Sequence, residues 1–279
     1  MSFCCGVCSW SLQPGSAEEL VQKVKAVGVS AVQLALDPLR SGSWPTWETV
    51  AMLKDAGLQI RSGMMVMCGE DYSTLESIRH TGGVRPDEHW ETNLNAARQN
   101  AVLARALGIE LVTFHAGFLP HEREDPLRKV LIDRLRAIVD RFAFCGVRVG
   151  FETGQEKAET LLGVLEELDR PQVGVNFDPA NMLLYGMGDP VSALNKLAPH
   201  VLQIHIKDAI AAREPGVWGT EVPVGQGQVD WPTFFETLKN SKLSCDLMIE
   251  RESGEDRIGD IRQAGQLVER FIGTGEAFR

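Results

Sequence analysis

The sequence predicts a (β/α)₈ barrel, and three observations carry that prediction. Short apolar or β-branched runs alternate eight times with longer amphipathic stretches along the chain, which is the signature of repeated βα units and a parallel sheet. The 279 residues suit one such barrel, read here as a single domain over 1–279, because barrels of this class commonly occupy about 250 residues. Finally, Glu152, Asp178, His205 and Glu250 stand at the ends of four successive runs, separated by 26, 27 and 45 residues. A strand with its returning helix takes up about 30 residues, so the four fall at the carboxyl ends of consecutive strands and face one barrel mouth.

The elements follow in order. Residues 4–9 are small and form the first strand, with Cys5 and Cys8 as packing residues. Their spacing is that of a zinc half-site, but no second pair follows. Ser16 and Glu19 have the spacing of a capping box for a helix that ends near Gly28. Strand two is 31–35; Thr46 and Glu48 then open a helix that stops before Gly57. Strand three, 59–67, leads into a long loop, 68–92. Apolar residues at Leu94, Ala97, Ala101 and Leu107 define a helix over 92–107, stopped by Gly108. Strands at 110–115, 148–152, 173–178 and 201–207 alternate with helices at 126–144, 158–168 and 190–197. A loop over 208–230, a helix at 231–238, a strand at 246–250 and a helix at 256–272 complete the eight units. A doubly wound open sheet is disfavoured, since its glycine-rich phosphate turn is replaced after strand one by Trp10, Ser11, Leu12, Gln13 and Pro14.

Composition narrows the function. A formal charge of −10 argues against a surface that tracks nucleic-acid phosphates. No apolar run reaches the ~18 residues of a membrane span, and the opening residues lack the basic and apolar regions of a signal peptide. The expected setting is cytoplasmic, with the six cysteines as reduced thiols.

Three carboxylates and one imidazole suit a hard to borderline divalent ion: Mn²⁺ first, with Mg²⁺, Co²⁺ or Zn²⁺ as alternatives. Glu152 and Glu250, expected on opposite walls, would exchange protons with a carbon beside a carbonyl while the metal stabilises the enediolate. Lys207 shares the parity of His205 and faces the mouth, where it supports an oxyanion, holds a phosphate or neutralises a carboxylate. Glu252 shares the parity of Glu250 and competes with it as the fourth ligand, whereas Arg251 should point outward if the strand persists. His115 ends strand four and is either a substrate or ligand contact or a satisfied strand-end histidine. Trp10 either stacks on a sugar face or packs the barrel top. Glu156 is expected in a loop or first helical turn. Gly225-Gln226-Gly227 forms either an anion nest or a turn leading to Asp230, which caps the next helix.

The motifs FETGQE around Glu152, VNFDPANM around Asp178, IHIKD around His205, VPVGQGQVDW after it and MIERESG around Glu250 span much of the chain. With them the sequence resembles the xylose-isomerase-like barrel superfamily of sugar phosphate isomerases and epimerases. The resemblance implies metal ligation by Glu152, Asp178, His205 and Glu250, with Glu152 and Glu250 as acid–base pair. It also implies a small sugar or polyol substrate and a homo-oligomer, dimer or tetramer. Two departures stand out from the ketose 3-epimerase pattern: Asn181 replaces a histidine three residues after the metal aspartate, and the nearest arginine after the metal histidine is Arg213, differently spaced. Asn181 either contacts a substrate hydroxyl in its place or caps a turn. The apurinic endonuclease branch needs that same histidine and an Asp-x-His before the Gly-x-Gly loop, where this chain has Gly219, Thr220, Glu221 and Val222. The expected function is metal-dependent isomerisation or epimerisation of a keto sugar or related hydroxy-carbonyl compound. A dehydratase or lyase acting on an inosose-like substrate and a non-catalytic sugar-binding barrel are the alternatives.

Overall fold

The computed structural model describes residues 3–273; the outermost residues of the expected domain, 1–2 and 274–279, lie outside it. The strands are β1 (Cys5–Cys8), β2 (Ala31–Ala35), β3 (Gln59–Met64), β4 (Leu111–Phe114), β5 (Arg148–Glu152), β6 (Val173–Phe177), β7 (Val201–Ile206), β8 (Asp208–Ile210), β9 (Thr220–Val222) and β10 (Asp246–Ile249). Eight of them close a parallel barrel in the order β1-β10-β7-β6-β5-β4-β3-β2, while β8 and β9 form an antiparallel hairpin outside it. The helices are α1 (Ala17–Val27), α2 (Asp37–Arg40), α3 (Thr46–Asp55), α4 (Leu75–Thr81), α5 (Asp87–Leu107), α6 (Pro126–Phe144), α7 (Ala158–Leu168), α8 (Pro179–Leu184), α9 (Pro190–Leu197), α10 (Trp231–Asn240) and α11 (Arg257–Ile272).

All eight expected barrel strands form, and the differences lie in the connections. The stretch 68–92 contains α4 and the first turn of α5, which begins five residues earlier than its apolar pattern suggests. Its opening residues Asp87, Glu88 and His89 are polar and Trp90 alone packs against the core, so periodicity could not mark it. The 208–230 loop holds the β8–β9 hairpin. At α1 the Ser16 hydroxyl accepts from the Glu19 N–H, but the Glu19 carboxylate reaches back to the Gly15 N–H instead of completing a capping box. Thr46 is the first residue of α3 and not its cap; Pro45 precedes it with no side-chain bond.

Alternation within the strands decides what the barrel holds. Val32, Leu34, Val112, Phe114, Val149, Phe151, Val175, Phe177, Ile204, Ile206, Leu247 and Ile249 are fully or almost fully buried in the apolar core. The intervening positions carry Gln33, Thr113, Asn176, Gln203 and His205, all buried and mutually hydrogen-bonded through the lumen. A strand places successive side chains on opposite faces, so the apolar set packs under the helices and the polar set fills the interior. That interior is a connected layer: Ser62 Oγ donates to Gln203 Oε1 (2.5 Å), Gln203 Nε2 to Asn176 Oδ1 (3.1 Å), and Gln33 Nε2 to Thr113 Oγ1 (2.8 Å). Buried polar groups persist only when bonded in this way. The layer forms a rigid floor for the residues one step nearer the mouth.

Candidate metal and acid–base site

Four strand ends deliver the four predicted ligands to that floor. Glu152 ends β5, and Asp178 and Glu250 follow β6 and β10 directly. His205 is the penultimate residue of β7. One ligand atom from each lies within 4.8 Å of all the others, and all four residues are buried. Nδ1 of His205 sits 3.4 Å from Glu152 Oε1, 3.4 Å from Glu250 Oε2 and 3.8 Å from Asp178 Oδ2. Glu152 and Glu250 come from strands three steps apart around the barrel, short of the directly opposite walls expected. Glu250 joins the cluster, and Glu252 does not.

Each ligand is held from behind. Asp178 caps α8 through Oδ1, which accepts the Asn181 N–H (3.0 Å), while its own N–H donates to Thr153 Oγ1 (2.8 Å). One carboxylate thus serves as a helix cap while its second oxygen, Oδ2, faces the cluster. Glu152 accepts from Asn181 Nδ2 at Oε1 (3.0 Å) and from Asn176 Nδ2 at Oε2 (3.2 Å). Glu250 accepts from Trp10 Nε1 (2.8 Å) and Lys207 Nζ (2.9 Å). On its far side, His205 Nε2 lies 2.8 Å from Gln33 Oε1. Asn176 Nδ2 lies 3.0 Å from the same Nε2, so the ring is held by the floor through Nε2 while Nδ1 is the nitrogen that faces the cluster.

Two buried atoms of the cluster, Asp178 Oδ2 and His205 Nδ1, have no hydrogen-bond partner. Buried polar atoms without partners are costly, and here two such atoms face each other among carboxylate oxygens. A divalent cation satisfies both, and the O₃N donor set suits Mn²⁺, Mg²⁺ or Co²⁺, with Zn²⁺ also compatible. The residues therefore fit the ion.

The electrostatics follow from burial opposed by neighbours. Burial works against ionised Glu250, yet the Lys207 ammonium and the His205 ring hold its carboxyl well below the usual range. Glu152 is also lowered: burial opposes ionisation, and His115 and His205 outweigh it. Asp178 is raised, because burial exceeds the help it receives from Lys207. Burial lowers His205, but the Glu152 and Glu250 carboxylates raise it well above its ordinary value. Cys8, whose Sγ is 3.7 Å from His205 Nε2, is pushed up to about 12 by burial and stays a neutral thiol.

The remaining predicted residues are placed as follows. Trp10, His115, Asn181 and Lys207 line a cavity of about 660 Å³ above the cluster. His115 Nε2 is 3.6 Å from Glu152 Oε1, and its Nδ1 is buried without a partner. Lys207 Nζ also bonds Glu252 Oε2 (2.5 Å) and Asn181 Oδ1 (3.4 Å). Arg213 does not reach the cavity: it is exposed on the loop between β8 and β9, which carries it away from the mouth. Arg251, beyond the end of β10, is outside the cavity lining and is buried against Glu221 (2.6 Å) and Asp260 of α11 (2.8 Å). Cys8 is more than a packing residue, since it shares the lumen face with His205 and Glu250. Gly154, at φ 139°, lets the loop after β5 pass Asn181; an added Cβ would lie 2.5 Å from the Asn181 Cβ.

Sequence reasoning missed Gln33, Asn176 and Gln203 beneath the cluster, and Glu70, Tyr72, Tyr185 and Trp218 in the cavity wall. The first three carried a signal: each is a polar residue inside an apolar run, and Asn176 and Gln203 lie two residues before a ligand. The wall residues lie on loops and carried none. Replacing Gln33 with leucine is expected to weaken Mn²⁺ binding about tenfold by releasing the imidazole orientation. Isothermal titration of the metal-free protein measures this; unchanged affinity would mean Gln33 does not orient the ligand.

Glu156 lies beside a second cavity, in the loop before α7; it is buried, and burial pushes its carboxyl up to about 8. A raised carboxyl binds its proton more tightly folded than unfolded. Glu156 therefore costs nothing below about pH 4.5 and destabilises increasingly as pH rises toward 8. Glu156→Gln is expected to stabilise the protein above pH 8 by on the order of 4 kcal/mol and to leave it unchanged at pH 4. Urea unfolding at both pH values checks the difference.

The fold and site define a parallel (β/α)₈ barrel with an acidic ligand cluster at its carboxyl-terminal mouth. The chain belongs to the xylose isomerase-like TIM barrel family, whose profile matches residues 21–270. It is similar to the structure of a xylose isomerase domain protein from Planctomyces limnophilus, with TM-score 0.83 and 30% identity over 91% of this chain and 94% of that one. A xylose isomerase-like TIM barrel protein from Mycobacterium smegmatis, in complex with magnesium, matches with TM-score 0.72 and 18% identity over 96% of each chain. Among curated relatives, the 3-oxo-isoapionate decarboxylase of Pectobacterium atrosepticum is 24% identical over 53% of this chain, and the match spans only 54% of that relative. The L-ribulose-5-phosphate 3-epimerase of Escherichia coli K12 is 24% identical over 90% of this chain and 88% of its own length.

Proposed function

We propose that the protein is a divalent-metal-dependent isomerase or epimerase of a keto sugar or related small hydroxy-carbonyl compound. The observation that carries this reading is the O₃N cluster with two partnerless buried atoms, two of whose members, Glu152 and Glu250, are both held ionised. Glu152, Asp178, His205 and Glu250 would hold the ion, which when bound supplies Lewis acidity toward a carbonyl or hydroxyl oxygen. The chain does the rest. Glu250 is kept ionised by Lys207 and aimed by Trp10, which suits it to accept a proton from the carbon beside the carbonyl. Glu152, fixed by Asn176 and Asn181 and ionised like Glu250, would take a proton from solvent and return it to the carbon from the other side. Lys207 and the Asn181 amide stand where negative charge develops on oxygen.

Placing the substrate in the cavity, with its reacting carbon toward Trp10, His115, Asn181 and Lys207, buries it away from bulk water. The second reading is a dehydratase or lyase reaction on an inosose-like substrate: the proton taken from the carbon beside the carbonyl is followed by loss of a β-hydroxyl, which leaves as water on accepting a proton with the help of Lys207. The relative named a decarboxylase is itself a lyase. A homo-oligomer, dimer or tetramer, is proposed with the family reading. Proton NMR of ketoses, inososes and hydroxypyruvate in deuterated water with Mn²⁺ tests the function. Deuterium entering one carbon supports isomerase or epimerase chemistry, and a product of lower mass selects the lyase. Sugar binding with no exchange in any compound would leave a non-catalytic barrel.

A further inference from the structure

The charge and shape of the cavity restrict the substrate more than the ligand cluster does. Besides the metal ligands beneath it, Glu70, Glu221, Glu252 and Asp37 line the cavity. Its one ammonium, Lys207, is already shared by Glu250 at 2.9 Å and Glu252 at 2.5 Å, with Asp178 at 3.9 Å. The guanidinium groups near the mouth are committed elsewhere. Arg251 pairs with Glu221 and Asp260, Arg40 with Asp37, and Arg257 with the backbone carbonyls of Arg251, Glu252 and Gly254.

The Gly225-Gln226-Gly227 turn, a potential anion nest, is filled by the chain itself. The Asp208 carboxylate accepts from the N–H groups of Gly225 (2.8 Å), Gly227 (3.2 Å) and Val229 (3.2 Å), and from Trp231 Nε1 (2.9 Å). An anion-binding turn that already holds a buried carboxylate has no place for a phosphoryl group.

What the cavity offers is suited to neutral hydroxyls and an apolar ring face. Tyr72, Tyr185 and Trp218 form an aromatic wall with Met65 and Leu184, and the Tyr185 and Trp218 rings pack edge to face at 4.8 Å. Trp218 Nε1 and His115 Nδ1 are buried polar atoms with no partner in the chain, both from residues that line the cavity. An indole N–H can only donate, so Trp218 requires an acceptor such as a hydroxyl oxygen.

We infer that the site takes an unphosphorylated, uncharged polyhydroxy-carbonyl compound, stacked by its apolar face on the Tyr72, Tyr185 and Trp218 wall. This rests on the proposed function for its reaction but not for its charge selectivity. A phosphate ester in this cavity would bring a dianion against four carboxylates with no free cation among the described lining residues to meet it. Like-charge juxtaposition of that kind lowers affinity tenfold or more.

Matched pairs separate the two claims. The Mn²⁺-loaded protein, freed of unbound metal, is titrated calorimetrically with D-fructose and D-fructose 6-phosphate, D-ribulose and its 5-phosphate, and D-xylulose and its 5-phosphate. Deuterium exchange is followed on the same six compounds. At least one free sugar should bind tenfold or more tightly than its ester, and Trp218→Phe, which removes the donor while keeping an aromatic ring, should weaken that binding several-fold. An ester that binds as well as or better than its free sugar overturns the inference, whatever exchange shows. Tighter binding of a free sugar without exchange overturns the reaction and leaves the substrate class standing. If none of the six binds, both claims fail.

Discussion

Glu152→Gln and Glu250→Gln are each expected to lower deuterium exchange into a substrate by about 10²–10⁴-fold at saturating Mn²⁺, the usual contribution of a positioned acid or base. Glutamine keeps the shape of each side chain and its oxygen ligand but cannot carry the proton. For Glu250 the change also removes the carboxylate that Lys207 holds ionised at 2.9 Å. The ammonium is left to Glu252 and Asp178, so folding should survive while exchange does not. Measuring exchange by NMR with metal content quantified in each variant keeps the two roles apart. Full metal occupancy with lost exchange is the expected pattern. Wild-type exchange rates in both variants would remove these residues from the proton transfer.

The second large effect concerns the ion. Adding Mn²⁺ at 100 times its dissociation constant should stabilise the metal-free protein by about 2.7 kcal/mol, an upward shift of roughly 5 °C in Tm. His205→Ala should abolish most of it, because it removes the only nitrogen donor of the cluster. The pH dependence has a definite sign. Without metal, His205 is raised above its ordinary value by Glu152 and Glu250. Its contribution to stability is therefore complete below about pH 6.5 and disappears as pH rises through the elevated native value. Metal binding requires neutral imidazole, so each ion bound displaces that proton and affinity rises with pH. Calorimetry in buffers of different ionisation enthalpy counts the proton. Affinity that is flat from pH 6 to 9, or a His205→Ala protein with the full thermal shift, would contradict ligation by His205.

The two effects are linked through the floor of the barrel. Gln33, Asn176 and Gln203 orient Glu152 and His205 from below, so a change there should appear in metal affinity before it appears in stability. In this chain the polar lumen layer and the cluster above it form one hydrogen-bonded unit, which accounts for polar residues at the centre of strands that are otherwise apolar.

The sequence by itself determined the barrel, the eight strands and the four residues at their ends. Those features repeat with strand and helix periodicity, and periodicity is a local property: the run ending in Glu152 and the run ending in Asp178 each reveal a strand without reference to the other. Parity within a strand likewise placed Lys207 on the side of His205. The tertiary structure decided everything that depends on which strands and loops become neighbours. It chose Glu250 over Glu252, because β10 ends at Ile249 and Lys207 draws Glu252 to the rim. It paired Arg251 with Glu221 and Asp260 and left Arg213 outside the cavity lining, since both lie on loops whose path is set by packing and not by pattern. It brought Cys8 and Gln33, more than 170 residues before His205 in the chain, onto the same imidazole. It also filled the Gly225–Gly227 turn with Asp208, a contact across 17 residues that no local signal marks. The reason is the same in each case: backbone hydrogen bonding and side-chain alternation are encoded residue by residue, whereas the partners of a charge are fixed only when the barrel closes.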